Sequence, residues 1–311
     1  MEKSSLRLHQ TLTSPNTSNW EVSKMIRDNR EKLLEIAVQG EIVSPSSSTY
    51  RAQWDARPKL ALGMGGIKYN LKVGDPCFGW ASGDHVEPGV TIRGKERDNP
   101  SECALALLAC IGNEAKLVSG EAKGDKGVFT GRHAGSDDLV WFPEETLEEL
   151  SIGDKVQVKA IGAGLKLIEY PDIKLNKCSP RLLDSLGIEE NEKTLTVPVV
   201  KEIPSFLMGS GIGFSTMTEP VDYDIQTTDP KAVEKYGLET LRLGDIVALR
   251  DQLCINGRGY YKGAITIGVI VHGASDYAGH GPGVNPVMST KEETISTKLI
   301  DKANIADWWD L

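Results

Sequence analysis

Four of the five histidines fall in glycine-rich stretches that also carry carboxylates. His272 and His280 lie in VHGASDYAGHGPG, residues 271–283, with Asp276 between them. Asp84, His85 and Glu87 lie in ASGDHVEPGV, residues 81–90, and His133 closes GDKGVFTGRH, residues 124–133. Near neutral pH an imidazole offers a lone pair to a dication or accepts a proton, and a neighbouring carboxylate fixes its tautomer or adds a ligand. The candidate catalytic set is therefore His272, His85, His133, Asp84, Glu87 and Glu114, the last from ACIGNEAKL. His272, His280, His85 and Asp276 are the candidate ligands of a divalent metal. Lys123, Arg132, Asn113, Gly209 and Gly211 are candidates for holding a small anionic ligand.

Spacing restricts how these groups can meet. Along an extended chain Asp84 and His85 point to opposite faces, so they converge with Glu87 only in a turn, for which Gly83, Pro88 and Gly89 are suited. His272 ends GAITIGVIV, residues 263–271, which reads as a buried strand. A rigid strand end beside a glycine loop can present a base or ligand. It can equally hold an imidazole that merely bonds the loop backbone. No HExxH, GxSxG or Walker spacing occurs, and MGSGIG (208–213) lacks a following helix, so no nucleotide cofactor is expected. DYDIQTTD, which follows that loop, supplies two further carboxylates, Asp222 and Asp224.

The elements that would position these groups are mainly strands. NLKVGDPCFGW, ELSIGDKVQVKA and TLRLGDIVALRD each place Gly-Asp between an apolar pattern and a strand-like stretch. Glycine supplies a positive φ and aspartate bonds nearby amides, so Asp75, Asp154 and Asp245 read as turn formers. PEETLEELSIGD predicts a short helix with Pro143 at its first turn. SPRLLDSLGI predicts another, capped by Ser179 and closed by Gly187. The Ala/Leu run in NPSECALALLACIGN fits a buried helix or a buried strand. EKLLEIAVQG reads as a helix or turn to about Lys32, then a strand ending near Gly40. The fold class is mainly β (α+β): two β-rich, barrel-like portions, a small lid-like insertion and few short helices. Residues 1–28 form an arm, 29–169 the first portion, 170–200 the insertion, and 201–311 the second portion with a tail that docks through its two tryptophans.

With 311 residues and a formal net charge of −9, the chain is a poor nucleic-acid partner. No apolar run approaches the roughly 20 residues of a membrane helix, and no secretory signal is visible, so a cytoplasmic location is expected. The five cysteines form no CxxC pair and read as reduced thiols. A homo-oligomer is expected.

Several phrases, taken in order, resemble one family: NREKLLEIAVQGEI, GGIKYNLKVGDP, GDHVEPGV, GDKGVFTGRHAG, IGDKVQVKAIGAGLKL, MGSGIG and GAITIGVIVHG with AGHGPGV. This is domain-of-unknown-function family 4438, bacterial and archaeal, and the resemblance spans about residues 29 to 292. It implies a largely β architecture in two portions with a smaller insert, and carries over no catalytic residue. The residues themselves lead to the expectation of a hydrolase or lyase for a small polar metabolite, such as an amide or cyclic amide, with a divalent metal as the candidate cofactor. The alternative is a non-catalytic binder of a small anion.

Overall fold

A computed structural model describes residues 26–46, 50–94, 100–133 and 137–311. Most of the expected N-terminal arm lies outside these residues. The first half is a closed, all-antiparallel barrel of six strands in the order Ile36–Ile42, Val90–Arg93, Asp137–Trp141, Lys126–His133, Glu114–Leu117 and Lys155–Ala160. Alternation along each strand sends one set of side chains inward: Val156, Val158 and Ala160 join Val38, Ala115, Leu117 and Phe129 in the barrel core. The ambiguous Ala/Leu run is helix Pro100–Leu108, which adds Leu105 to that core. Strand Ile36–Ile42 ends two residues past Gly40, where a Cβ would meet Leu105 Cδ2 at 2.9 Å and Arg93 O at 3.0 Å.

The second half is built on a sheet ordered Lys201–Ile203, Ile246–Leu253, Gly259–His272, Gly283–Thr290 and Tyr223–Asp224. Ile246 and Ala248 enter one core, Val247 and Leu249 another on the opposite face. Burial on both faces explains why GDIVALR and GAITIGVIV read as nearly continuous apolar runs. Residues 170–200 are woven into this half: Lys174–Leu175 pairs with the Gly283–Thr290 strand, and Leu182, Leu186, Leu195 and Val197 fill the first of the two cores. The terminal helix Ile305–Trp309 docks there too, with Trp309 Nε1 donating to Ser185 Oγ and its indole under the Arg181 guanidinium.

All three Gly-Asp phrases make one turn. Asp75, Asp154 and Asp245 each accept, through Oδ2 at 2.8 Å, the amide three residues back. Ser179 caps helix Pro180–Ser185 by accepting from Leu182 N, as its spacing predicts. Among the described residues no helix is long and apolar enough to cross a membrane.

The halves meet where barrel strand Lys126–His133 lies against the sheet. Asn285 Oδ1 accepts from Arg132 N at 2.7 Å and its Nδ2 donates to Arg132 O at 2.8 Å, so one side chain completes both backbone bonds of a strand in the other half. Gly131, at a bulge in the barrel, leaves room for Val271, which a Cβ would approach to 2.3 Å. This close seam brings His133, from the barrel, against His272, from the sheet.

Candidate metal centre

Five chain segments converge on one cavity of about 460 Å³. The turn after Trp80 contributes Asp84, His85 and Glu87; the barrel rim contributes His133 and Asp137; the short strand Tyr223–Asp224 and its approach contribute Asp222 and Asp224; the sheet contributes His272, fully buried beside the cavity, and the following loop His280. His85 adopts φ +49°, the left-handed turn that lets it and Asp84 face the same site. Asp222 and Asp224 share a face because they stand two apart on an extended chain, while Tyr223 between them enters the core and donates to Gln252 Oε1.

The imidazoles form a contiguous group. Ring centroids lie 4.1 Å apart for His133–His272, 5.1 Å for His85–His272, 5.3 Å for His85–His133 and 5.0 Å for His85–His280. Three of them are anchored through Nδ1: His85 on Asp84 Oδ1 at 2.5 Å, His133 on Glu87 Oε1 at 2.5 Å, and His272 on the Gly273 carbonyl at 2.9 Å. The anchors are themselves fixed. Asp84 Oδ1 accepts from Ser275 Oγ, and Glu87 Oε2 accepts from Gly65 N and Thr91 Oγ1. When such a ring gives up its Nε2 proton, Nδ1 remains the donor and Nε2 turns outward as a lone pair. His85 Nε2 lies 3.0 Å from His280 Nδ1 and 3.7 Å from Asp224 Oδ2; His272 Nε2 lies 2.7 Å from Asp222 Oδ2 and 3.5 Å from Asp224 Oδ1.

Charge is arranged accordingly. Asp84 meets Lys59, Glu87 meets Lys68, and Asp137 pairs with Arg93. Asp224 is contacted by three imidazoles, those of His85, His272 and His280. Burial pushes its carboxyl up, but those three histidines outweigh burial and hold it well below the usual carboxylate range. Burial likewise pulls His272 down, and Asp222 with Asp224 outweigh it, so this ring sits well above an ordinary histidine. His85 rises more modestly, for burial is outweighed by Asp224 and Asp84. His133 goes the other way: burial, then the adjacent His272 charge, depress it to about 3 and keep it neutral. Asp137 is raised by burial and by the Glu87 charge, against Arg93.

Most sequence candidates therefore meet, though not all in the expected roles. His85, His133, His272 and His280 form the centre; Asp84 and Glu87 orient histidines instead of facing the cavity first. Asp276 pairs with Lys59 and accepts from Gln53, and stands outside the groups of possible metal ligands among the described residues. Glu114 is outward-facing on the barrel and pairs with Lys126, because strand alternation gives the inward places to Ala115 and Leu117. Lys123 is exposed in a barrel turn away from the cavity. Arg132 is buried against Asp138 and the Pro220 carbonyl, and Asn113 bonds Cys110 N and the Ile161 carbonyl; both are structural. Gly211 lines the cavity, whereas Gly209 packs against the Gly279 carbonyl. Asp222 and Asp224 were named from the sequence but given no role, although their Asp-x-Asp spacing was an available signal; Asp137, Arg51, Arg93 and Tyr277 carried none. Arg51 lies over the Tyr277 ring, and the buried Tyr277 hydroxyl has no hydrogen-bond partner among the described residues.

Comparison with known proteins gives the same architecture and no activity. Residues 50–184 match the family model "Domain of unknown function (DUF4438), N-terminal", and residues 185–309 match its C-terminal counterpart. A solved structure titled "Crystal structure of TM1086" is 44% identical, with a TM-score of 0.86, over 91% of this chain and 99% of that one. No curated protein matches significantly.

Proposed function

The chain belongs to the DUF4438 family, and since that membership brings no activity with it, we propose from the site alone that the protein is a metal-dependent hydrolase of a small anionic substrate, an amide or cyclic amide. The observation that carries this reading is the pairing of anchored and outward ring nitrogens. Histidines that hold a metal commonly donate their other nitrogen to a carboxylate or backbone carbonyl, which fixes the tautomer and strengthens the ligand. His85, His133 and His272 are all held this way, the first two by carboxylates of one turn, Asp84 and Glu87, and the third by the Gly273 carbonyl. His85 Nε2, His280 Nδ1 and Asp224 Oδ2 make a triangle with edges of 2.9, 3.0 and 3.7 Å. Donors about 2.1 Å from one cation stand roughly 3.0–3.4 Å apart, so the triangle accepts an ion with little movement.

A divalent cation supplies a Lewis acid for the carbonyl and an acidified water. The chain's residues do the remainder. Arg51 and Arg93 on the cavity wall attract an anionic group and orient the substrate. Asp137, raised by burial, lines the same wall and is placed to accept a proton. The arginines also support the second reading, a non-catalytic binder of a small anion.

The test is cation binding followed by turnover. Full-length protein stripped with a chelator is titrated with Zn²⁺, Mn²⁺ and Co²⁺ by calorimetry, then offered small carboxylate-bearing amides and cyclic amides. Binding that His85→Ala weakens at least ~10-fold, with hydrolysis by the loaded wild type, is expected. Absence of binding by every ion tested overturns the reading; cation binding without turnover, with anions retained, moves the assignment to the binder.

A further inference from the structure

We infer that this centre holds two divalent cations bridged by the Asp224 carboxylate. The inference rests on the metal-centre reading above and specifies its nuclearity. The two oxygens of Asp224 belong to different ligand sets. Oδ2 faces His280 Nδ1 at 2.9 Å and His85 Nε2 at 3.7 Å; Oδ1 faces His272 Nε2 at 3.5 Å. On the Oδ1 side, Asp222 Oδ2 is 2.7 Å from His272 Nε2, and one donor atom each from His133, Asp222 and His272 lie within 4.8 Å of one another. The first set is thus His85, His280 and Asp224; the second is His133, His272, Asp222 and Asp224.

One ion cannot use these donors. Four imidazoles and three carboxylate oxygens exceed the four places of a tetrahedral site, and the Asp224 carboxylate separates them into two groups. A carboxylate that binds one ion through each oxygen holds the pair about 3.5–4 Å apart, the spacing of two-metal hydrolytic sites. The backbone is shaped for this. Asp222 and Asp224 occupy one face of their strand, and Gly283 leaves the space that the His272 and Asp222 side chains occupy. Imidazole and carboxylate donors without thiolate select first-row divalent ions such as Mn²⁺, Fe²⁺, Co²⁺ or Zn²⁺. Of the buried carboxylates nearby, Asp84, Glu87 and Asp137 already meet Lys59, Lys68 and Arg93, and the charge of the two ions would fall beside Asp222 and Asp224.

Mn²⁺ serves as the probe. The chelator-stripped full chain is loaded with Mn²⁺, desalted, analysed for metal per chain, and examined by low-temperature electron paramagnetic resonance. Two ions per chain with an exchange-coupled spectrum are expected. Asp222→Asn and His280→Gln each damage one set and should leave a single, uncoupled ion; Asp224→Asn should abolish coupling and weaken the second ion at least ~10-fold. Thermal melts of the apo proteins identify any variant that fails to fold, and the other two variants then decide. One ion in the wild type overturns the pair while leaving the metal centre standing. Two uncoupled ions overturn the Asp224 bridge, and no bound ion removes both readings.

Discussion

Gly283 is pressed against His272: a Cβ built at position 283 would lie 2.0 Å from His272 Nε2 and 2.4 Å from Asp222 Oδ2. Its φ does not require glycine; the missing volume does. Gly283→Ala should therefore push apart one ligand pair, lowering stability by about 1–3 kcal/mol through overpacking and weakening cation binding. Gly259→Ala, where a Cβ meets nothing within 4 Å, is the control and should change neither. Melting temperature and cation titration on both variants check the claim.

The Asn285–Arg132 backbone pair makes a second prediction. Asn285→Ala leaves a buried N–H and a buried carbonyl of Arg132 unpaired, each worth about 1–3 kcal/mol. Since Arg132 precedes His133, the loss should reach the centre as weaker cation binding. Asn285→Asp keeps the acceptor but sets a buried carboxylate oxygen against the Arg132 carbonyl, so it should destabilise at least as much as alanine. Denaturant unfolding of the three proteins orders them.

How legible all this was depended on whether local chemistry decided the outcome. The Gly-Asp turns, the Ser179 cap and the apolar strand ending at His272 each follow from side chains acting on their own neighbourhood, and were read from the sequence. His85, His133, His272 and His280 could be gathered because imidazoles are few in this chain. Glu114 and Asp276 could not be removed from the list: which face of Glu114's strand is outward depends on closure of a barrel from distant segments, and Asp276, in the loop after His272, is drawn to Lys59 and Gln53 from a distant part of the chain. Asp222 and Asp224 were noticed only as spare carboxylates: their importance comes from His85, His272 and His280 arriving from elsewhere, a long-range fact that their spacing of two hints at but does not contain.

Glu87 tests whether a second-layer carboxylate tunes a ligand. Its Oε2 accepts from Gly65 N and Thr91 Oγ1, and Oε1 accepts from His133 Nδ1. In Glu87→Gln the amide oxygen serves the two fixed donors, so the new NH₂ faces His133. The ring then relieves the clash by moving its proton to Nε2, the nitrogen needed for metal. A loss of about 10–100-fold in cation affinity is expected, with little change in melting temperature of the apo protein. Unchanged affinity would show that His133 is not a ligand.

Lys177 should govern part of the alkaline stability profile. It is buried, donates to the carbonyls of Ala106 and Ala109, and lies over the Phe129 ring. Burial lowers its ammonium from 10.5 to about 8, against the attraction of Asp138. Below pH 8 both folded and unfolded chains carry the proton, and the fold bears the full cost of the buried charge. Between about 8 and 10.5 the folded chain has released the proton while the unfolded chain retains it, so stability rises with pH by up to roughly 3 kcal/mol. Above 10.5 the gain is complete. Lys177→Met should flatten this rise in denaturant titrations across that window, whatever its effect on absolute stability.

Arg51 separates substrate anchoring from metal binding. It lies over the Tyr277 ring on the cavity wall and belongs to neither ligand set, so Arg51→Gln should leave cation affinity unchanged. The exposed guanidinium contributes a charge-assisted contact to an incoming carboxylate, and its removal should weaken malonate binding to the loaded protein by about 3–10-fold, or roughly 1 kcal/mol. Because that contact is open to solvent, the difference should shrink as salt rises from 20 to 300 mM, approximate concentrations that span strong and weak screening. Calorimetry of malonate into wild type and variant at both salts measures the two effects together. Equal affinities at low salt would assign anion recognition to Arg93 instead, whose guanidinium already pairs with Asp137 at the cavity edge.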